Sequence, residues 1–367
     1  MKNTFGQSVA VTLFGESHGE YIGAVLDGLA PGLVVDEDFI RHQLSLRRPQ
    51  GKISTARVEA DEFQIISGVF EGKTTGTPLC ILIPNTNTRP SDYDSNIPRP
   101  GHADYAADCK YHGYQDPRGG GHFSGRITAA LVAAGAIAIS ALRQNGILIG
   151  THISRISDIC DRTFDSYESD IETLADLTFP VLDPAKADLM RACIEDAASE
   201  GDSVGGILET AVIGLPAGIG EPWFDSVEGL LSHALFSIPA VKGVEFGTGF
   251  GMANLYGSQA NDALRMEGDR VVTATNHNGG INGGITNGMP VIFRCAVKPT
   301  PSIFKEQQSI DLQNRENTTL TLMGRHDPAI IHRARVVVDS VAALVLCDLL
   351  AMRFGTDSLC HLKNILK

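Results

Sequence analysis

Ile127-Thr128-Ala129-Ala130-Leu131-Val132-Ala133-Ala134-Gly135-Ala136-Ile137-Ala138-Ile139-Ser140-Ala141-Leu142 is apolar on nearly every face that a helix would present. A helix that is hydrophobic all round is buried between other layers. Its sixteen residues fall short of the ~20 that a membrane-spanning helix needs, so the reading is a core helix. The pattern around it points the same way. Strand-like runs come in pairs, at 8–14, 65–70, 79–83, 271–275 and 290–297, with a Gly/Thr turn at 72–77. Helices come in separate groups: 36–46 with an acidic first turn, one opened by Asp183-Pro184, one opened by a partial capping box from Asp225 to Glu228, and 336–354. Paired strands and grouped helices predict an α+β fold rather than a doubly wound parallel sheet. Residues 84–125 are loop-rich and proline-rich, which is unusual unless the loop is functional. Residues 157–183 are acidic and irregular and are predicted to be a surface excursion. No internal repeat or low-complexity boundary divides the chain, so residues 1–367 are taken as one domain.

Thirty basic residues against 43 acidic ones give a formal net charge of −13. That balance disfavours nucleic acid and anionic membranes as partners. The basic residues are nevertheless clustered. Arg47, Arg48, Lys52 and Arg57 form one group; Arg99, Lys110, Arg118 and Arg126 form another, among His102, His112 and His122. Local basic clusters in an acidic protein suit a small anionic ligand. Seven cysteines, odd in number and without a C-x-x-C pair, predict reduced thiols, no zinc site and a cytoplasmic location. Glu16, His18 and Glu20 interrupt any apolar leader.

Five constellations carry chemistry. Gly15-Glu16-Ser17-His18-Gly19 sets a hydroxyl and a histidine between glycines just after a strand. It reads as a functional turn, as a plain turn with an exposed histidine, or as a mimic of the G-x-S-x-G hydrolase elbow. Arg99-Pro100-Gly101-His102-Ala103-Asp104 is a second histidine beside Pro/Gly corners. Arg118-Gly119-Gly120-Gly121-His122-Phe123-Ser124-Gly125-Arg126 runs into the start of the apolar helix, which makes an anion cradle or a helix entry with tolerated glycines. Near the C-terminus, Arg325 is suited to clamp a carboxylate or phosphate, and Asp327 is a proton acceptor or a cap before Pro328. Finally, nine of the thirteen residues 276–288 are Asn or Gly. They read as a linker, a run of hairpin turns, or a ligand loop offering bare N–H groups; the strand-like flanks argue against a linker.

Taken together, the blocks resemble the chorismate synthase family over some 310 residues. They are Phe-Gly-Glu-Ser-His-Gly (14–19), Arg-Arg-Pro (47–49), Arg-Pro-Gly-His-Ala-Asp (99–104), Arg-Gly-Gly-Gly (118–121), Glu-Gly-Asp-Ser (200–203), Ala-Val-Lys-Gly-Val-Glu (240–245), the Asn-His-x-Gly-Gly-Ile-x-Gly-Gly-Ile run (276–285), Lys-Pro-Thr (298–300) and Gly-Arg-His-Asp-Pro (324–328). The resemblance implies a sandwich of central helices between two antiparallel sheets, assembled as a homotetramer. It implies a 1,4-anti elimination of phosphate from 5-enolpyruvylshikimate 3-phosphate that needs reduced FMN without net redox change. By the same resemblance, His18 assists phosphate departure, His102 lies against the flavin, and Asp327 helps to take up the substrate's C6 proton. Arg47, Arg48, Arg126 and Arg325 are anion partners of the substrate, with Ser17 and Ser124 as hydroxyl donors. FMN contacts fall on His122, Phe123, Ser124, Pro239, Ala240, Gly283, Lys298, Pro299, Thr300, Pro301, Ser302 and Arg325. Arg47 and Lys52 occupy positions associated with NADPH as a reductant.

The chain departs from the family's commoner pattern at several points. His122-Phe123-Ser124-Gly125-Arg126 replaces Arg-Ser-Ser-Ala-Arg, Pro239 stands where Asn is frequent, Leu46 replaces an Arg and Lys52 another. His122 is therefore expected to replace part of the missing cradle charge. Two other classes compete with the lyase: a flavin oxidoreductase that consumes NAD(P)H, and a noncatalytic phosphometabolite binder indifferent to loss of His18, His102 or Asp327.

Overall fold

Alternation decides the first sheet. In Leu79-Cys80-Ile81-Leu82-Ile83 the odd positions are buried and the even ones half-exposed, the period of a strand with one covered face. The computed structural model describes residues 2–49, 51–54, 60–86, 96–322 and 327–365, with Lys52 described in its backbone only. Sheet I contains strands β1 (Thr4–Phe5), β2 (Ala10–Gly15), β3 (Tyr21–Asp27), β4 (Gln64–Ser67) and β5 (Leu79–Pro84), in the order β1-β2-β3-β5-β4. Sheet II contains β6 (Leu148–Ile156), β7 (Ile159–Cys160), β8 (Gly206–Ile213), β9 (Val241–Phe246) and β10 (Val291–Val297), in the order β9-β10-β8-β6-β7. Every pairing in both sheets is antiparallel.

Around and between the sheets lie helices α1 (Glu37–Leu46), α2 (Asp104–Tyr111), α3 (Thr128–Gln144), α4 (Tyr167–Leu174), α5 (Pro184–Ser199), α6 (Val227–Leu235), α7 (Ile331–Phe354) and α8 (Ser358–Ile365). Helix α3 packs on β3 and β5 of sheet I, α7 packs on β6 and β8 of sheet II, and α3 and α7 pack on each other. The architecture is the expected α+β sandwich with central helices, and the apolar run of 127–142 is one of its two inner layers. By length and composition Gly125–Gln144 is long enough to cross a bilayer, yet 83% of it is buried inside the fold. Burial, not shortness, identifies it as a core helix.

The two central helices are parallel. Gly135 lies against Ser340, and Cys347 Sγ donates to Ala138 O, so position advances in the same direction along both. A side chain at Gly135 would overlap the backbone of Ser340, which is why this contact takes glycine. The buried Asp339 accepts from Thr151 Oγ1 (2.6 Å) and Arg335 (3.2 Å), and burial raises its pKa against those partners. At the far end of α7, Asp348 accepts from the backbone N–H groups of Gln7, Ser8 and Val9, fixing the entry to β2.

Several boundaries differ from the sequence reading. α7 begins at Ile331 rather than 336, because His332, Arg333 and Arg335 break the apolar pattern while tertiary partners bury them. The cap of α6 is Ser226, whose Oγ accepts from Gly229 N (2.9 Å), one residue beyond Asp225. Residues 84–125 contain α2, whose sequence has no strong apolar face. Residues 157–183 are not a surface excursion: Ile171, Leu174, Phe179 and Val181 are buried there. Asp161 accepts from His152 Nδ1 (2.7 Å), Leu182 N (2.7 Å) and Asp183 N (2.9 Å). Burial alone would raise the Asp161 carboxyl; these donors hold it below its ordinary value.

Candidate active site

Because α3 and α7 run parallel, their N-termini face the same end of the sandwich. Unpaired N–H groups and aligned dipoles give a helix N-terminus roughly half a positive charge. Two such ends side by side, with arginines around them, favour a multiply charged anion. Arg333 ties them together: its Nε donates to Arg47 O (2.8 Å) and its NH1 to Asp327 Oδ2 (2.7 Å).

The turn between β2 and β3 carries Ser17 and His18. Its geometry is fixed from two sides, by Ser17 N donating to Gly121 O (3.0 Å) and by Asn85 Nδ2 donating to Glu16 O (3.0 Å) and Gly19 O (2.8 Å). The glycines after Arg118 then pass between two histidines. A Cβ on Gly119 would overlap the His18 ring and lie 3.0 Å from Ser17 Oγ; one on Gly120 would lie 3.0 Å from His102 Cε1 and 3.3 Å from Nε2. Both glycines have φ in the left-handed region, 61° and 85°. The sequence needs glycine here for backbone conformation and for space at once. His18 and His102 thus each lie against one of two successive glycines of the same ribbon.

His102 is held by its own loop. Its Nδ1 lies 2.6 Å from Asp104 Oδ1, and Arg99 grips Asp104 through Nε (2.7 Å), NH2 (2.8 Å) and its backbone N–H (3.0 Å). Burial would raise the Asp104 carboxyl, but Arg99 and His102 hold it well below the usual carboxylate range. His122 donates from Nδ1 to Gly15 O (2.8 Å), which ties the ribbon to β2. That bond engages one ring nitrogen in structure, so the sequence expectation that His122 restores cradle charge gains nothing from its placement. Phe123 packs edge-on against Tyr111, and Ser124 Oγ accepts from Arg126 N (3.2 Å) as the cap of a short turn.

Arg47 and Arg126 are buried, 7% and 6% exposed, and both reach Asp61, Arg126 through NH1 and Arg47 at 3.6 Å. Arg126 Nε also donates to Asn85 Oδ1 (2.8 Å); Arg47 donates to Gly125 O (2.6 Å) and Thr128 Oγ1 (2.8 Å). Arg48 donates to Ala60 O, and its Nε is buried without a hydrogen-bond partner among the described residues.

Residues 298–302 arrive at the same end from β10. Lys298 Nζ donates to Gly101 O, Lys298 N donates to Ala240 O (2.9 Å), and Pro301 lies where a Gly101 side chain would point. This brings Pro239, Ala240, Lys298, Pro299, Thr300, Pro301 and the buried Ser302 beside the His102 loop. Asp327 joins through the adjoining Pro328, whose carbonyl accepts from Val204 N (2.9 Å), while Ser203 Oγ donates to Thr300 O (2.7 Å). Ser17 Oγ and Thr300 Oγ1 are buried with no hydrogen-bond partner among the described residues. Buried polar atoms are rarely left so. Two orphan hydroxyls, a ribbon without side chains and a basic, helix-polarised end fit a flat phosphorylated cofactor beside an anionic substrate. Among the described residues no base lies on Ser17 Oγ, so the hydrolase reading of 15–19 gains no support here.

Gly283 does not join this site within the chain. The 276–288 run packs at the opposite end of β10, where Gly279 N–H and carbonyl groups bond around Asn276 and Ile292. Six residue steps along β10 separate that end from Val297, roughly 20 Å. The run forms a short hairpin, Ile281–Asn282 with Ile285–Thr286, with Gly283 exposed at its tip. Its N–H groups are taken internally: His277 N (2.7 Å) and Asn278 N (2.9 Å) donate to Asp262, and Gly280 N to Asn276 Oδ1 (2.7 Å). The anion it was expected to cradle is a carboxylate of its own chain. Within the single chain, the flavin contact expected at Gly283 gains no support from this placement. Arg325 and Arg57 lie outside the described residues, as does the side chain of Lys52. The sequence reading missed Asn85, Asp61 and Arg333, and left Asp104 and Arg99 without a role; only the last two stood in a motif that marked them.

The family model for chorismate synthase matches residues 9–351. The chain is 44% identical over 357 residues to chorismate synthase of Aeropyrum pernix, covering 96% of this chain and 93% of that one. It is 46% identical over 349 residues to that of Methanosarcina mazei, covering 94% and 95%. A crystal structure of chorismate synthase superposes with a TM-score of 0.77 at 29% identity, covering 99% of this chain and 97% of the other.

Proposed function

The chain belongs to the chorismate synthase family, and from that premise we propose which of its residues carry the reaction. It is a carbon–oxygen lyase of the shikimate pathway: it removes phosphate from 5-enolpyruvylshikimate 3-phosphate to give chorismate. The 3-phosphate and the C6 proton leave, and a second ring double bond forms. The substrate brings a phosphate and two carboxylates, and the end of the sandwich that bears both central helix N-termini receives it. Arg47, Arg48, Arg126 and Arg325 are its anion partners; for Arg47 and Arg126 this means exchanging part of their hold on Asp61.

His18 donates a proton to the departing phosphate. His102, at the next glycine of the ribbon, faces the cofactor. Asp327, oriented by Arg333, handles the C6 proton. The observation that carries this division is the ribbon itself, because Gly119 packs against His18 and Gly120 against His102 with no side chain of their own between them. Residues 122–124, Pro239, Ala240 and 298–302 hold FMN, supported by the orphan hydroxyl of Thr300 and the left-handed φ of 76° at Ala240. When bound, reduced FMN supplies the electron density that lets an allylic phosphate leave without net redox change.

The family assembly proposed is a cytoplasmic homotetramer built from one domain of 367 residues, a reading supported by one continuous apolar core. In such an assembly the exposed tip at Gly283 serves a neighbouring copy's site. NADPH as the reductant rests on Arg47 and Lys52, and the burial of Arg47 gives a surface dinucleotide contact no support. One assay tests the whole reading: anaerobic protein with dithionite-reduced FMN releases phosphate from the enolpyruvyl substrate. Replacing dithionite by NADPH reads whether the enzyme reduces its own flavin. Failure to release phosphate under dithionite overturns the assignment.

A further inference from the structure

Two lone pairs cannot share a 2.6 Å separation without strong repulsion, so the contact between His102 Nδ1 and Asp104 Oδ1 requires a proton between them. Nδ1 therefore donates to Asp104, and the NH2 of Arg99, 3.1 Å from Nδ1, is a like-charged neighbour rather than a donor to it. With Nδ1 occupied, the opposite ring edge, Cε1 and Nε2, is the one turned toward Gly120. Among the described residues, Asp104 and Arg99 of its own loop lie against this imidazole, Lys298 reaches Gly101 O of the same loop, and His18 lies at the adjoining glycine.

Resting on the functional reading above, we infer that Asp104 is a positioning residue for His102, fixing its Nδ1–H tautomer, and that Arg99 holds Asp104 in the orientation this requires. Asp104 is gripped by three N–H donors of Arg99 as well as by His102, so its carboxylate is fixed where Oδ1 meets Nδ1. Loss of that acceptor frees the ring to take the other tautomer, which in an Asp–His pair of this geometry costs turnover heavily.

Nitrogen NMR of histidine-labelled protein, without substrate, tests this directly. In the unaltered enzyme, neutral His102 is expected as the Nδ1–H tautomer. Asp104→Asn should lose the preference for the Nδ1–H tautomer, and Arg99→Gln should weaken it less, since Asp104 Oδ1 remains as acceptor. Under reduced FMN, Asp104→Asn should lose about 10²-fold or more in kcat, the scale of a misoriented general acid–base group, with KM changed far less. An Nε2–H tautomer in the unaltered enzyme overturns the proposal, and so does an undiminished Nδ1–H preference in Asp104→Asn. The tautomer measurement needs no substitution, so a variant that fails to fold leaves the test standing. If the unaltered enzyme releases no phosphate, the functional reading falls while the NMR result still decides the role of Asp104.

Discussion

Residues 118–125 and 276–288 are the two glycine-rich stretches of this chain, and they do opposite things with their backbone. The first lies bare between His18 and His102 at the end where two helix N-termini converge. The second, at the other end of β10, closes on itself around Asp262 and Asn276. Both stretches read in sequence as anion-binding loops. What separates them is where a carboxylate of the same chain engages them: Asp116 takes only Arg118 N at the entry of the first, whereas Asp262, some fourteen residues upstream, takes His277 N and Asn278 N within the second. Glycine content reports backbone freedom; it does not report what that freedom is used for.

The sharpest way to break the comparison is to disturb what holds each stretch in place. Gly119→Ala should drive His18 from its place, since the new Cβ overlaps the ring, and lower kcat by about 10²-fold or more, as loss of a positioned proton donor does. Asp262→Ala comes next. It leaves the N–H groups of His277 and Asn278 without their acceptor, and should cost about 1–3 kcal/mol in denaturant unfolding, with little change in turnover per folded molecule. Equal effects of the two substitutions on turnover would erase the distinction drawn between the stretches.

Acid stability separates the two ends by pH. Burial pushes His332, at the start of α7 near the site, down to about 4, whereas the unfolded chain titrates near 6.5. The unfolded state then binds more protons between these values, so stability falls as pH drops from about 6.5 to 4. His152 works against this: burial lowers it, but Asp161 and Glu209 raise it overall, so its contribution is present at low pH and fades as pH rises through its folded value. Asp262 is held low: burial would raise it, but Asn278, Thr275 and His277 outweigh that. Its contribution is present above about pH 4 and is lost below it. Urea midpoints across pH 3–7 should therefore fall in two steps, with the upper one flattened in His332→Gln and the lower one in Asp262→Asn. The smallest effect on stability expected is Gly283→Ala: within the chain the tip has open space around it, so folding is penalised only through the left-handed φ of 61°, by about 1 kcal/mol.

Much of the fold was legible because burial leaves a pattern. The all-apolar run at 127–142 and the alternation in 79–83 state their environments outright. α7 was legible only from 336, since His332, Arg333 and Arg335 look like surface residues until Ser54, Asp327, Asp339 and three carbonyls near 174–177 take them up. The site was legible in its histidines and in its glycine ribbon, which stand in short motifs. Asp61 and Asn85 were not, because each acts through partners some 40 to 65 positions away, and no local spacing marks a long-range ion pair. For Asn276 to Gly288 the hairpin alternative holds, and spacing could not single it out because the acceptor Asp262 lies outside the run.

The division of labour across the ribbon is tested most directly by anaerobic phosphate release with reduced FMN in the unaltered enzyme, His18→Ala and His102→Ala, with protein folding checked alongside. The account predicts release by the first and a loss of about 10²-fold or more in each variant, with added phosphate-like acids partly restoring His18→Ala but not His102→Ala. Near-normal release in both variants would contradict it.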